Sequence, residues 1–377
     1  MIDQAQLIQW RHDLHRHPEF GFQEIRTSQF VANTLRAMGV DVITGVGGTG
    51  VVGTLKRGTS NRAIALRADM DALQITESTG VDYASTIPGL MHACGHDGHT
   101  VMLLGAAARL AADPTFDGTI RFIFQPAEEW GQGAQAMIDD GLMTRLPFDE
   151  IYGLHNMPGM ALGTFETRAG GVMSAEDIFD ITLTGQGGHA SRPQAGREVM
   201  VPACALVTEL QTIVARRVDP AQTAVVSVTE LLTDGTRNAL PGHAQILGDV
   251  RSYDPAISAQ IEHHMRRIAD GVAATHDLTV AVDYRREFVP LVNDADLAAA
   301  FADAAKPVSD HVNPNCAAIT ASEDFARFLA HVPGCFGFIG NGDSAPLHAP
   351  NYDFNDAGIS HGIDLYVAIA QARLPVS

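Results

Sequence analysis

Cysteine is scarce: four thiols, at positions 94, 204, 316 and 335, are scattered through 377 residues with no C-x-x-C pair. That usage excludes a disulfide framework and belongs to a reduced compartment, so the expected location is the cytoplasm. Long apolar runs are also missing. The longest, around 101–112, is broken by Arg109 and is too short to span a bilayer. The opening MIDQAQLIQWRHDLHRH meets charge almost at once and has no apolar core segment, so it does not read as a secretory signal. Positive charge is in deficit, with 25 Lys and Arg against 44 Asp and Glu and a formal charge of −19. A chain this acidic repels nucleic acid and anionic membrane surfaces, and neither is an expected partner. There is no low-complexity stretch, charge block or internal repeat.

What is present is a globular composition. Hydrophobic residues make up 46% of the chain, and the length exceeds what one hydrophobic core comfortably serves, so two domains are expected. Helical spacing of apolar residues appears at 3–16, 23–38, 96–112 and 132–140. Strand-like runs appear at 40–44, 51–56 and 62–68, and in GTIRFIFQ and EIYGLH. This alternation predicts an α/β domain with a mostly parallel sheet covered on both faces.

After Gly170–Gly171 the pattern changes. DIFDITLTG alternates, a helix follows at 197–215, then two strands, a helix at 256–274 and the strand LTVAVDYRRE. The order β-α-β-β-α-β is that of a ferredoxin-like unit. The α/β pattern resumes after Pro290, with helices near 294–305, 321–331 and 355–373 and a strand at CFGFIG. The expected domains are therefore 1–172 and 291–377 for the α/β part and 173–290 for an inserted α+β unit.

One motif is a decoy. GVGGTG at 45–50 fits G-x-G-x-x-G, and Asp69 follows at a suitable distance. A dinucleotide site needs a helix to open at the last glycine, whereas two β-rich runs follow here, so these glycines are read as shaping a loop.

The chemical signal lies in HACGHDGH at 92–99, which sets Cys94 and His96 two apart at a helix start. Further donors end apolar strands: Glu128 and Glu129 in FQPAEEW, His155 in YGLHN, and His348 in the loop of SAPLHAPNYDFND. The binding crevice of an open α/β sheet lies along those carboxyl ends. Thiolate, imidazole and carboxylate together suit Zn²⁺ and its neighbours and argue against Mg²⁺ or Ca²⁺. The donors exceed one tetrahedral site and suit two metals sharing a bridging ligand and water. Adjacent glutamates repel unless positive charge is near, and two metals supply it, leaving one carboxylate to ligate and one to move protons. Taken singly, a buried cysteine is a small hydrophobe, and His155 and His348 are satisfied structural histidines. Only their combination changes that reading. His12, His15, His17 and His361 are left as packing or surface residues, and His92 and His99 are not required. Asp69, more than Asp71, is placed to orient a ligand imidazole.

The motifs RHDLHRHPEFGFQE, LRADMDALQITE, MHACGHDGHT, FQPAEEW, GLHNMPGMALG, GGHASRP and LHAPNYDFND occur in order from residue 11 to about 356. Together they resemble the bacterial hippurate hydrolases and N-acyl-L-amino-acid amidohydrolases. This branch, with the plant auxin-conjugate hydrolases, belongs to the cocatalytic metallopeptidase superfamily of carboxypeptidase G and the aminoacylases. The resemblance implies a metal-bearing, phosphorylase/hydrolase-like α/β domain with a ferredoxin-like lid that often dimerises. It implies Cys94, His96, Glu129, His155 and His348 as ligands of two divalent metals and Glu128 as general base. It also implies His189 of GGHASRP as a group polarising the scissile carbonyl, and Asn238 and Arg251 as substrate contacts in the lid. The wider superfamily has a histidine where this chain has Arg67 and a bridging carboxylate where it has Cys94, which places it in the amidohydrolase branch.

The expected reaction is hydrolysis of a small N-acyl amino acid to a carboxylate and a free amino acid, by a homodimer or tetramer loaded with Zn, Mn, Co or Ni. A dipeptidase or carboxypeptidase on the same scaffold is the nearest rival. A Cys94 thiol enzyme leaves the glutamates and His348 unexplained, and a metal-storing module leaves Glu128 without a purpose.

Overall fold

Runs such as AIALRAD and GTIRFIFQ, rich in branched and aromatic residues, can be satisfied only where both faces are covered. The structure, a computed structural model, describes residues 2–112 and 115–376; positions 1 and 377, the outer limits of the expected domain ranges, lie outside it. The chain forms two compact units. One comprises residues up to 172, 292–318 and from 323 onward, and the other residues 173–291 and 319–322.

The first unit is built on an eight-stranded mixed sheet. Strands β1 (Asp41–Val46), β2 (Gly50–Arg57), β3 (Ala63–Asp69), β4 (Gly118–Gln125) and β5 (Glu150–Met157) stand in the order β1-β2-β4-β3-β5. Gly334–Gly340, Phe165–Glu166 and Val312–Asn313 continue the sheet. The centre is parallel, from β4 through β3 and β5 to Gly334–Gly340. Register sets Asp69 opposite Gln125 at the ends of β3 and β4. The carboxyl ends of the parallel strands therefore lie side by side, and each delivers polar residues to one rim.

Helices α1 (Gln4–Arg16), α2 (Ile25–Ala37) and α3 (His96–Ala112) pack on this sheet or on one another. Helix α3 is buried from His96 through Ala107 and lies against helix Gly358–Arg373. Glycine permits that approach. A Cβ on Gly105 would come 2.2 Å from Ile363 Cδ1, and one on Gly362 would come 2.0 Å from the Met102 sulfur.

The GVGGTG segment closes a β-hairpin between β1 and β2, with Gly45, Gly47 and Gly48 at φ +78°, +65° and +102°. No helix opens there, and the nucleotide reading ends with that geometry. One helix expected near 321–331 is instead a 3₁₀ segment, Asp324–Ala330, whose preceding residue Glu323 accepts a hydrogen bond from Phe325 N.

The second unit has its own core around Phe179, Ile181, Leu206, Leu210, Ile246 and Ile261. Its antiparallel sheet orders Ala224–Thr233, His243–Ser252, Ala175–Thr184 and Thr279–Phe288, with helices Met200–Arg216 and Pro255–Thr275. The last strand thus lies beside the first, as a split β-α-β demands. The expected continuous range 291–377 needs one correction, because residues 319–322 belong with this second unit. Met173 bridges Ile319, Ser174 N donates to Ala321 O at 2.9 Å, and Arg251 Nη1 donates to Ser322 Oγ at 2.8 Å.

Candidate metal centre

Cys94 and His96 stand where a loop turns into α3, so the helix start fixes both side chains. The His96 Nδ1 faces Asp71 O at 3.0 Å and Asp71 Oδ1 at 3.3 Å, both acceptors. A proton therefore sits on Nδ1, and Nε2 is buried and without a hydrogen-bond partner. The same logic applies at the end of β5. His155 Nδ1 donates to Asn156 O at 2.7 Å, and its Nε2 lies 3.4 Å from Cys94 Sγ.

Glu128 and Glu129 open a short 3₁₀ turn, Glu128–Trp130, flanked by Ala127 at φ +47° and Gly131 at φ +65°. Glu129 N donates to Asp71 Oδ2 at 3.1 Å. Glu129 Oε1 lies 4.0 Å from His96 Nε2 and 3.4 Å from His348 Nε2, and has no hydrogen-bond partner of its own. His348 is held by its backbone, at φ +64°, through its N–H to Ala93 O at 2.8 Å. A left-handed non-glycine residue stores strain of the kind functional sites tolerate.

Three sets of donor atoms, each within 4.8 Å of one another, link these residues: Cys94 with His96 and His155, Cys94 with Glu129 and His348, and His96 with Glu128 and Glu129. The sets share members, as two neighbouring cations require. Electrostatics points the same way. Burial, the largest influence on His96, disfavours its charged form, yet Asp69, Asp71 and Glu129 draw it up to about 10. A field that strong favours any cation. Cys94 shows the cost of the pocket without one, its thiol pushed well up by burial first and then by Glu129 and Glu128.

The adjacent glutamates diverge. Burial, then Glu323 and Glu129, push Glu128 well above the ordinary carboxylate range. Burial also acts upward on Glu129, but the His348 imidazole 3.4 Å away and the charge of His96 bring it below that range. One carboxyl is suited to carry a proton and its neighbour to stay ionised.

The structure reverses one expectation. Asp71, not Asp69, holds His96. Asp69 Oδ1 instead meets His99 Nδ1 at 2.6 Å, and His99 Nε2 lies 2.7 Å from Asn156 Oδ1, so that imidazole is occupied on both sides. The reason is register: Asp69 ends β3, while Asp71, two residues beyond it, reaches past the strand to the start of α3. Two residues absent from the sequence reading, Glu323 and Asp324, join Glu128 in a further set of donors within 4.8 Å. The argument from adjacent carboxylates applied to Glu128 and Glu129 applies equally to SEDF.

In the second unit, His189 and Asn238 come together on a two-stranded ribbon. His189 pairs with Ala239, and Ala190 N donates to Asn238 O at 3.0 Å. Ser191 N donates to His189 Nδ1 at 3.1 Å, which leaves the imidazole proton on the exposed Nε2. Arg251 is elsewhere in that unit, paired with Asp249 at 2.9 Å and Glu176 at 3.0 Å.

The model of peptidase family M20/M25/M40 matches residues 65–372. The chain is 37% identical to the hippurate hydrolase of Campylobacter jejuni over 97% of its own length and 96% of that protein. It is 38% identical to the N-acetyl-L-cysteine deacetylase of Bacillus subtilis, covering 94% and 85% of the two chains. Among solved structures it resembles the Bacillus subtilis YXEP protein, described as a dinuclear metal binding peptidase, with 29% identity and a TM-score of 0.88 over 98% and 97% of the chains. A cluster of thiolate, imidazole and carboxylate donors at the carboxyl ends of a mainly parallel sheet, and matches of this length, lead to one conclusion: the chain belongs to the M20/M25/M40 peptidase family.

Proposed function

We propose that this chain is a metal-dependent amidohydrolase that cleaves N-acyl amino acids, hippurate-like or N-acetylated, into a carboxylate and a free amino acid. The observation that carries the reading is the pairing of an orphaned His96 Nε2 and Glu129 Oε1 with a neighbouring Glu128 of opposite proton affinity. Cys94, His96, Glu129, His155 and His348 are the residues that would hold two divalent ions, and their donor set suits Zn, Mn, Co or Ni. Such ions, when bound, acidify water and polarise an amide carbonyl. Glu128 takes the proton of the attacking water and delivers it to the leaving amine. His189, with its proton on Nε2, donates to the oxyanion of the tetrahedral intermediate, a contact of about 3 kcal/mol when well placed. Asn238 adds a further amide contact. Arg251 binds the substrate carboxylate by exchanging it for Glu176 or Asp249, its present partners.

In this reading residues 1–172 and 291–377, without 319–322, form the catalytic domain, and 173–290 with 319–322 a lid through which two chains associate. The four free cysteines and the acidic composition fit a cytoplasmic enzyme. No helix among the described residues is long and apolar enough to cross a membrane.

The test is removal of metal by chelation, followed by reloading with each divalent ion and assay on N-acetyl, N-benzoyl and dipeptide substrates. Loss of amide hydrolysis on chelation and its return on reloading is the expected outcome. Full activity in metal-free protein would overturn it, and turnover of dipeptides alone would move the assignment to a dipeptidase.

A further inference from the structure

Glu128, Glu323 and Asp324 are buried side by side, and such carboxylates cannot all remain charged unless a cation stands among them. The chain supplies one of its own. Arg67 on β3 is fully buried, and its Nη2 donates to Glu323 Oε1 at 2.9 Å and to Asp324 Oδ1 at 3.2 Å. Its Nη1 donates to Asp69 Oδ2 at 2.7 Å and its Nε to Gln125 Oε1 at 2.9 Å. Gln125 Nε2 then donates to the same Asp324 Oδ1 at 2.7 Å, while Ala134 N donates to Asp324 Oδ2 at 2.9 Å. Asp324 is pinned through both oxygens. Its backbone N–H is the group that reaches Glu128 Oε1, at 3.4 Å.

We propose that Arg67 is a positioning residue for Glu128. By fixing Glu323 and Asp324 it holds the Asp324 amide against one oxygen of Glu128 and leaves the other for the proton. The inference rests on the reading of Glu128 as the proton carrier. A planar fork of five donors can serve carboxylates and an amide in several directions at once, which a lysine ammonium cannot. This explains why the sequence sets an arginine here, two residues before Asp69. A purely structural ion pair would hold the fold without acting on turnover, and the two roles separate experimentally.

Arg67→Lys keeps the charge and loses the fork. It should fold, retain its metal by elemental analysis, and lose kcat by about 10²-fold, the scale of a misplaced catalytic group. KM should change by less than about threefold, because the lost interaction belongs to the transition state. In Arg67→Ala, added guanidinium ion should restore kcat by about tenfold or more at constant metal content, refilling the missing group. An Arg67→Lys protein with wild-type kcat would overturn the proposal, and so would a loss of kcat matched by an equal loss of bound metal.

If neither Arg67 variant folds, Asp324→Asn decides, since it keeps side-chain shape and the backbone N–H while releasing the pin. Reduced kcat at full metal content supports the proposal and unchanged kcat refutes it. Glu128→Gln, assayed in parallel, keeps the two readings apart. An active Glu128→Gln enzyme sinks the proton-carrier assignment, whereas an inactive one beside a fully active Arg67→Lys sinks the positioning alone.

Discussion

At the scale of single residues, two neighbours with the same side chain are set to different tasks by what surrounds them. Glu128 meets other carboxylates and a backbone N–H; Glu129 meets His348 and the edge of His96. Glu128→Gln is therefore expected to keep its metal and lose activity by roughly 10²-fold or more. Glu129→Gln should lose metal occupancy. Elemental analysis beside a steady-state assay checks both, and a metal-replete, inactive Glu129→Gln with an active Glu128→Gln would reverse the roles. Cys94→Ala and His155→Ala are each expected to lose at least one equivalent of metal. That these side chains would gather was legible in the sequence, because thiol, imidazole and adjacent carboxylates are rare in such concentration and fall at strand ends. Their supports were not. Whether Asp69 or Asp71 grips His96 depends on how far the chain travels after β3 ends, and that distance is set by tertiary packing. Glu323 and Asp324 lie far along the chain from Arg67, and no local pattern announces that a guanidinium waits for them.

At the scale of elements, α1 holds the start of α3. Arg11 donates to Asp97 Oδ2 at 3.0 Å and pairs with Asp353, while His15 Nδ1 lies 2.8 Å from Asp97 Oδ2 and its Nε2 3.3 Å from Glu77. Burial, the largest influence on His15, disfavours its charge, but Asp97 and Glu77 outweigh burial and the opposing charge of Arg11, raising it to about 9. His92 and Tyr83 complete its surroundings. A folded-state value above the unfolded one of roughly 6.5 stabilises below that pH and loses its contribution as pH rises through about 9. Thermal unfolding measured from pH 6 to pH 10 should show this decline, and His15→Gln should flatten it. A variant as pH-sensitive as the wild type across that window would refute the linkage. Close packing of α3 against Gly358–Arg373 supplies a second check. Gly362→Val forces a Cβ onto the Met102 sulfur and should destabilise by about 1–3 kcal/mol, seen as a lower Tm. The longer helices and strands were readable from periodicity, whereas the two-residue strands Phe165–Glu166 and Val312–Asn313, the ribbon of His189 and the 3₁₀ stretch Asp324–Ala330 were not. There helical spacing is real, but buried salt bridges at its first residues set the backbone.

At the scale of the whole molecule, the proposed dimer makes a prediction that no single chain can satisfy. Glu128→Ala and His189→Ala chains, each inactive, are mixed and exchanged. If His189 serves the site of a neighbouring chain, a mixed dimer regains one working site. Mixed dimers verified by native mass spectrometry yet as inactive as their parents would refute action in trans. One further consequence follows from residues 319–322, which pair with Met173, Ser174 and Arg251 although more than sixty residues separate them from Arg251. The inserted unit is not a cassette. A recombination event that copied 173–291 as one block into another member of the family would leave these four residues behind. It would carry Arg251 away from Ser322, whose next neighbours along the chain are Glu323 and Asp324. Such a chimera would inherit the insertion without its last tie, and the host's acidic pair would follow a segment evolved against a different partner. Insertions in this architecture are thus expected to drift together with the segment before the acidic pair, and to be exchanged successfully only when both pieces travel.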